Sequence, residues 1–203
     1  MIKLFGAKRG NPFRCHVLAK EIGLDYEEVS VDLSKGEQNS PEYRMINPNS
    51  KVPSLVDGEF ILWESMAINN YLCAKYKPDL LGDSLEEKAL IDQWSYWAIL
   101  EIQPHFFSIA FQKFRVPDDQ KDEKVLQKAM SELSRVLTIL NDHLKNREYV
   151  LDNKFSLADI NVASTVSASQ FAQYDISKYT NITRWLENLY ERPSFKECMS
   201  SEK

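Results

Sequence analysis

Little in this sequence invites a disulfide, a metal or a nucleic acid. The 203 residues hold three cysteines, Cys15, Cys73 and Cys198, and three histidines, His16, His105 and His143. The cysteines are odd in number, far apart and form no CxxC pair, which excludes a disulfide framework. The histidines do not fall near them at ligand spacing, so no metal site is expected. Reduced thiols of this kind point to the cytoplasm. Basic residues are not in excess: 25 Lys and Arg stand against 30 Asp and Glu, a net charge of −5. No Lys/Arg run offers the basic face that replaces phosphate counterions, so nucleic acid is not an expected partner. No stretch approaches the roughly 18 uninterrupted apolar residues of a membrane span, and MIKLFGAKRG carries no apolar leader segment.

What remains is an ordinary globular composition, 43% hydrophobic and 27% charged, and a chain long enough to bury a core unaided. Its halves read differently. Ile2 and Leu4 alternate before Gly6, the mark of a first strand. Pro12 opens a helix whose apolar stripe is Val17, Leu18 and Ile22, with Gly23 as its stop. Val29, Val31 and Leu33 recur at period two and predict a second strand. Ser40 to Ile46 predicts a short helix ended by Asn47-Pro48. Apolar runs over 52–56 and 60–63 flank Asp57-Gly58, the pair that suits a tight hairpin turn. Ile68, Tyr71, Leu72 and Tyr76 then give one helical face. The first ~78 residues thus read β-α-β-α-β-β-α.

After Lys77-Pro78-Asp79 the strand signal disappears. Ser84 with Glu87 suggests a capping box that opens a long helix through Trp94 and Trp97, which Pro104 should kink. Another long amphipathic helix runs from Val125 through Leu133, Val136 and Leu140 to Leu144, and Ile182, Trp185, Leu186 and Leu189 mark a later one. The expected organisation is a domain over 1–78 and an all-helical domain over 84–203.

The chemistry concentrates in one stretch, NPNSKVPSLVDGEFILWESMAI, from Asn47 to Ile68. Pro53 at a strand start cannot donate to a ladder, so the strand must be entered irregularly. That leaves the backbone groups of Val52 open to pairing with an extended, peptide-like ligand. Glu64-Ser65 falls at a strand-to-helix junction. Helix N-terminal amides and a serine hydroxyl suit a carboxylate, and Glu64 suits an amino group. Singly, Pro53 is as well explained as a turn device and Ser65 as a helix cap; their order in one hairpin raises the functional reading.

The pattern NPxxxVPxL, a D-G hairpin, then E-S-x-A-I resembles the glutathione-site half of cytosolic glutathione S-transferases. FSLADI, with Ser156 and Asp159, resembles the capping motif of that family's helical domain, and ITRWLENLYERPSF is also similar. The resemblance covers nearly the whole chain and is closest in kind to phi-like, nu-like or other bacterial-type members. It implies a thioredoxin-like domain followed by an all-helical domain, an α+β protein that works as a homodimer and takes glutathione as co-substrate, without a metal. It implies that Pro53 is preceded by a cis bond, that Val52 pairs with the cysteinyl part of glutathione, and that Glu64 and Ser65 hold its γ-glutamyl end. Gln38 and Lys51 would reach the glycyl end or the backbone of glutathione, with Asn39 a weaker candidate. His105 and Phe106 are candidates for a second-substrate pocket that takes a small hydrophobic electrophile, beside Trp97, Phe107 and Phe111.

The loop Gly6–Cys15 departs from the family pattern. Members carry Ser, Tyr or Cys there to stabilise the thiolate; counting back from Gly23 puts Arg9 or Asn11 at that place. A free thiol of pKa ~8.5 is only about 3% thiolate at pH 7. A drop of ~2 units needs about 2.7 kcal/mol of preference for the anion, within reach of helix amides plus one donor from Asn11 or Arg9. The implied reaction is transfer of glutathione to an electrophile. A glutathione-dependent reductase or peroxidase and a non-catalytic binding protein are the alternatives.

Overall fold

The computed structural model describes residues 1–200. By packing, the chain divides into two units. The first comprises Met1–Gly82 together with the segment from Tyr190 onward; the second is Asp83–Leu189. The last helix therefore packs with the first unit, although the sequence reads as one helical domain to its end.

The first unit has the expected β-α-β-α-β-β-α order. Its strands are β1 (Ile2–Phe5), β2 (Tyr26–Val29), β3 (Ser54–Asp57) and β4 (Phe60–Trp63), and its helices α1 (Asn11–Glu21), α2 (Pro41–Ile46) and α3 (Ser65–Tyr76). The sheet order is β2-β1-β3-β4, with β2 parallel and β3 antiparallel to β1, and β4 antiparallel to β3. This is the thioredoxin-like arrangement.

Two local expectations shift. The second strand ends at Val29, opposite Phe5, because β1 supplies only four residues to pair with. Beyond it Asp32 turns the chain: its carboxylate accepts from the Ser34 amide at 3.0 Å, and its own amide donates to Glu37 at 2.7 Å. Val31 and Leu33 are thus outside the strand. In the hairpin Asp57 pairs with Phe60, so the turn residues are Gly58 and Glu59. Only Gly58 takes a positive φ, 63°. Asp57 is freed to accept from Tyr71 Oη at 2.7 Å and to pair with Lys75, which anchors the hairpin on α3.

Helix α1 is buried from Pro12 through Ala19, on every face. A helix so enclosed must satisfy its polar side chains internally. His16 does so by spanning two strands: Nε2 lies 2.9 Å from the Gly6 carbonyl and Nδ1 2.9 Å from Tyr26 Oη. A carbonyl only accepts, so Nε2 carries the proton and Nδ1 accepts from the tyrosine. Burial pushes the imidazole below its ordinary pKa, which keeps it in this neutral form. The closing helix, numbered below, covers the other side of α1 through Phe13 against Phe195, and Glu21 is held by Arg192 and by Ser194 Oγ at 2.6 Å.

The second unit is helical: α4 (Leu85–Trp97), α5 (Gln103–Phe114), α6 (Glu123–His143), α7 (Leu157–Val166), α8 (Ala168–Ala172) and α9 (Thr180–Tyr190); α10 (Pro193–Ser200) is the closing helix of the first unit. Ser84 caps α4 by accepting from the Glu87 amide at 3.1 Å, while Glu87 accepts from the Asp83 amide rather than from Ser84. The break expected at Pro104 is a π turn over Ala98–Ile102. Pro104 has no N–H for the carbonyl of Leu100, and the wider turn falls on that residue.

The core of this unit is built on Asp159. Its carboxylate, fully buried, accepts from the Ser156 amide at 3.0 Å, the Val150 amide at 2.8 Å and Trp185 Nε1 at 3.0 Å. The FSLADI capping box therefore also fastens the preceding loop and α9. No described helix is long and apolar enough to cross a membrane.

Candidate functional site

Strand register brings three chain segments to one end of the sheet. Ser54, first residue of β3, pairs with Phe5, last of β1, and with Trp63, last of β4. The residues just beyond these pairs therefore converge: Gly6 and its loop, Val52-Pro53, and Glu64-Ser65. Gly6 sits at φ 112°, and a Cβ there would lie 2.7 Å from Pro12 Cγ and 3.0 Å from Val52 Cβ. Only glycine lets the β1–α1 loop close onto Val52.

The Val52–Pro53 bond is cis. The turn before it is fixed from two sides, since the Lys51 carbonyl accepts from Tyr43 Oη at 2.7 Å and from Asn47 Nδ2 at 2.7 Å. Tyr43 Oη also lies 2.9 Å from Ser54 Oγ. Among the described residues the backbone N–H and C=O of half-buried Val52 have no hydrogen-bond partner. A buried or half-buried backbone pair left open is a place for an added strand.

Glu64 carries the most unusual backbone of the segment, φ 73° and ψ 115°, and is exposed. A non-glycine residue held there costs on the order of 1–3 kcal/mol. Its side chain makes no cap bond to α3. Ser65, first residue of α3, is buried at 6% exposure, and its Oγ accepts from Arg14 Nη1 at 3.1 Å. The junction thus presents a carboxylate, an opened helix N-terminus and a hydroxyl backed by a cation.

The other candidates are less tightly joined. Gln38 lies on a one-turn helix, Glu37–Asn39, ahead of α2; its Oε1 is buried and accepts no hydrogen bond among the described residues. The Lys51 side chain and Asn39 are exposed. In the departing loop Arg9 is exposed and its amide is spent on the Ala7 carbonyl at 2.7 Å. Asn11 is half-buried and begins α1, where Gly10 turns the chain at φ 60°. Pro12 supplies no N–H, so the amides offered at this helix start are those of Gly10 and Asn11.

Two residues, Cys15 of the departing loop and the expected Phe106, are buried packing groups. Cys15 is fully buried, donates to the Ser65 carbonyl at 3.6 Å, and burial pushes its thiol up to about 12, so it is a packing thiol rather than a nucleophile. Phe106, expected in a second-substrate pocket, is fully buried with its ring edge-on to Tyr174. It is a core side chain of the helical unit, because α5 turns that face inward. His105 beside it is half-buried, and burial lowers its pKa. Sequence reasoning missed Arg14 and Tyr43. Arg14 had a signal, a charge inside the apolar stripe of α1; Tyr43 had none. Among the described residues no three His, Cys, Asp or Glu side chains gather as a metal set would.

Known proteins resemble this chain along most of its length. The family model described as "Glutathione S-transferase, N-terminal domain" matches residues 1–74, and "Glutathione S-transferase, C-terminal domain" matches 102–193. The chain is 34% identical to a rice protein named "Probable glutathione S-transferase GSTF2", over 98% of this chain and 96% of that one. It is similar to a solved glutathione S-transferase-I bound with lactoylglutathione, TM-score 0.86 and 33% identity over 98% of each chain. A glutathione transferase from Burkholderia graminis with two glutathione molecules bound per subunit matches at TM-score 0.89 and 25% identity, over 100% of this chain and 88% of that one.

Proposed function

Because the chain belongs to the glutathione S-transferase family, we propose that it binds glutathione at the end of the β1-β3-β4 sheet and transfers it to small hydrophobic electrophiles. The observation that carries this is the open backbone pair of Val52 beside Glu64 and Ser65. The cysteinyl unit pairs with Val52 as an added strand. The Ser65 hydroxyl and the α3 amides take the γ-glutamyl carboxylate, and Glu64 takes the amino group. The strained φ of Glu64 supports a role, since a cheaper residue would serve a mere turn. Gln38, with an acceptor oxygen left open, and Lys51 lie toward the glycyl end.

This placement directs the sulfur toward the start of α1. The amides of Gly10 and Asn11 and the Asn11 side chain stabilise the thiolate, with Arg9 contributing positive charge from the surface. Fixing the thiolate against an electrophile supplies proximity and removes the need to form the anion during attack. The protein works as a homodimer in the cytoplasm; exposed Phe60, Ile61 and Trp63 on β4 are the apolar surface that supports pairing, and three free buried thiols support a reducing compartment.

Substitution in the loop tests the thiolate assignment. Asn11→Ala should raise the pKa of bound glutathione and lower kcat with an aryl halide, while Arg9→Ala should act weakly and lose its effect at high salt. An ultraviolet titration of the bound thiol in each variant reads this. If neither substitution moves the pKa, the Asn11 and Arg9 side chains do not stabilise the sulfur. Assays with an organic hydroperoxide and a disulfide distinguish transfer from reduction.

A further inference from the structure

The loop between β1 and α1 offers backbone amides, those of Gly10 and Asn11, where a hydroxyl or thiol would be expected. A side-chain donor can swing onto its target. An amide points where the loop points, so its aim is only as good as the loop's anchorage. Gly10 shows how particular that aim is. It holds φ 60° and ψ −141°, close to a region that only glycine enters without strain. A Cβ there would meet no atom within 4 Å. The glycine is therefore required by the direction of the chain and not by lack of room. The bond inside the loop, from the Arg9 amide to the Ala7 carbonyl at 2.7 Å, spans two residues and ties the loop to nothing outside itself.

Anchorage comes from β2. Tyr26 and Glu28 stand two apart on that strand and so share a face. Their partners across the register, Ile2 and Leu4, are buried, and the contact of Tyr26 with His16 marks this as the α1 side of the sheet. Glu27 points the other way and pairs with Lys3. From the shared face Tyr26 reaches His16, whose Nε2 donates to the Gly6 carbonyl, and Glu28 reaches Lys8 Nζ at 2.9 Å. The first tie fixes the root of the loop and the second its middle. Lys20, the other cation near Glu28, pairs with Glu197 of α10 instead. A lysine ordinarily extends into water. The Lys8 side chain is only 16% exposed, against 39% for Glu28, so its stem lies along the protein and delivers the ammonium to the strand.

We infer that Lys8 and Glu28 are positioning residues: their ion pair clamps the β1–α1 loop to β2 and so aims the Gly10 and Asn11 amides at the sulfur of glutathione. The inference rests on the proposed reading of that loop as the thiolate site. A loop without a hydroxyl or thiol donor then relies on rigid backbone donors, and the clamp supplies the rigidity. Neither side chain needs to touch the ligand.

The signs of two substitutions separate a clamp from a simple field. Were the charges to act on the sulfur directly, Lys8→Met would raise the thiol pKa of bound glutathione and Glu28→Gln would lower it, since one removes a positive and the other a negative charge. A clamp is lost in either case. Both substitutions should therefore raise the pKa, by about half a unit, a roughly threefold loss of preference for the thiolate and in keeping with a partly exposed ion pair. The double variant should do no more than either single one, and Lys8→Arg should stay near the parent. Ultraviolet thiolate absorbance reads the pKa. Affinity for S-methylglutathione, whose sulfur has no proton to lose, should stay within about twofold in calorimetry, because the grip on the rest of the ligand is undisturbed. Opposite shifts, no shift, additive shifts or a parallel loss of S-methylglutathione affinity would overturn the inference. Should Lys8→Met not fold, Glu28→Gln decides alone: a raised pKa supports the clamp, and a lowered or unchanged one overturns it. An unsubstituted protein that binds neither ligand would overturn the glutathione reading itself. One that binds both with an unshifted thiol pKa would overturn the thiolate assignment, and in either case the clamp falls with it.

Discussion

Ser65→Ala should raise the KM for glutathione by about ten- to a hundred-fold, because a hydrogen bond to a charged group is worth about 1.5–3 kcal/mol and its loss is felt in binding. The effect should fall on KM far more than on kcat, since the γ-glutamyl end lies away from the reacting sulfur and binds ground state and transition state alike. The side chain is 6% exposed, and its removal leaves Arg14 Nη1 without that oxygen, so a modest loss of stability should accompany the kinetic change. Steady-state kinetics with glutathione varied, alongside thermal melting, separates the two. An unchanged KM in a folded Ser65→Ala protein would remove Ser65 from the site.

The largest structural effect is expected at Asp159. Truncation to alanine leaves the Val150 and Ser156 amides and Trp185 Nε1 buried without their common acceptor. Breaking a buried polar centre of this kind costs about 3–5 kcal/mol, or roughly 10 °C in Tm for a chain of this size. Burial pushes the Asp159 carboxyl from its ordinary 3.8 up to about 6, against the pull of the four groups that donate to it. The folded state therefore holds this proton more tightly than the unfolded one. The stability that proton contributes is fully present below about pH 4 and is lost as pH rises through about 6. Denaturant unfolding across that range should show the slope in the parent and not in Asp159→Asn, whose amide does not titrate. A melting temperature unmoved by Asp159→Ala would mean that FSLADI is a local cap only.

How far the sequence could be read depended on whether a feature was local. The β-α-β-α-β-β-α order was legible because each element carries its own period, and the site stretch because Pro53, the D-G hairpin and Glu64-Ser65 follow one another along the chain. The end of β2 was not, since it is set by the length of β1 and by the Asp32 turn rather than by the alternation of Val29, Val31 and Leu33. Pro104 marked a break, but not that the break would be a π turn. Phe106 and His105 are neighbours in sequence on opposite sides of a packing surface, and only the packing of α5 tells core from exposure. Arg14 and Ser65 are 51 residues apart, and nothing local to either announces their bond. The departure at Lys8 to Cys15 remains the feature on which chemistry turns, as distinct from the grip on the ligand.

That grip and its consequence are tested together by titrating the thiol of glutathione bound to the unsubstituted protein, followed by its ultraviolet thiolate absorbance. The account predicts saturable binding and an apparent thiol pKa below that of free glutathione, by about 2 units if helix amides and Asn11 act together. Saturable binding with an unshifted pKa would contradict thiolate activation by the α1 loop, and the absence of binding would contradict the site itself.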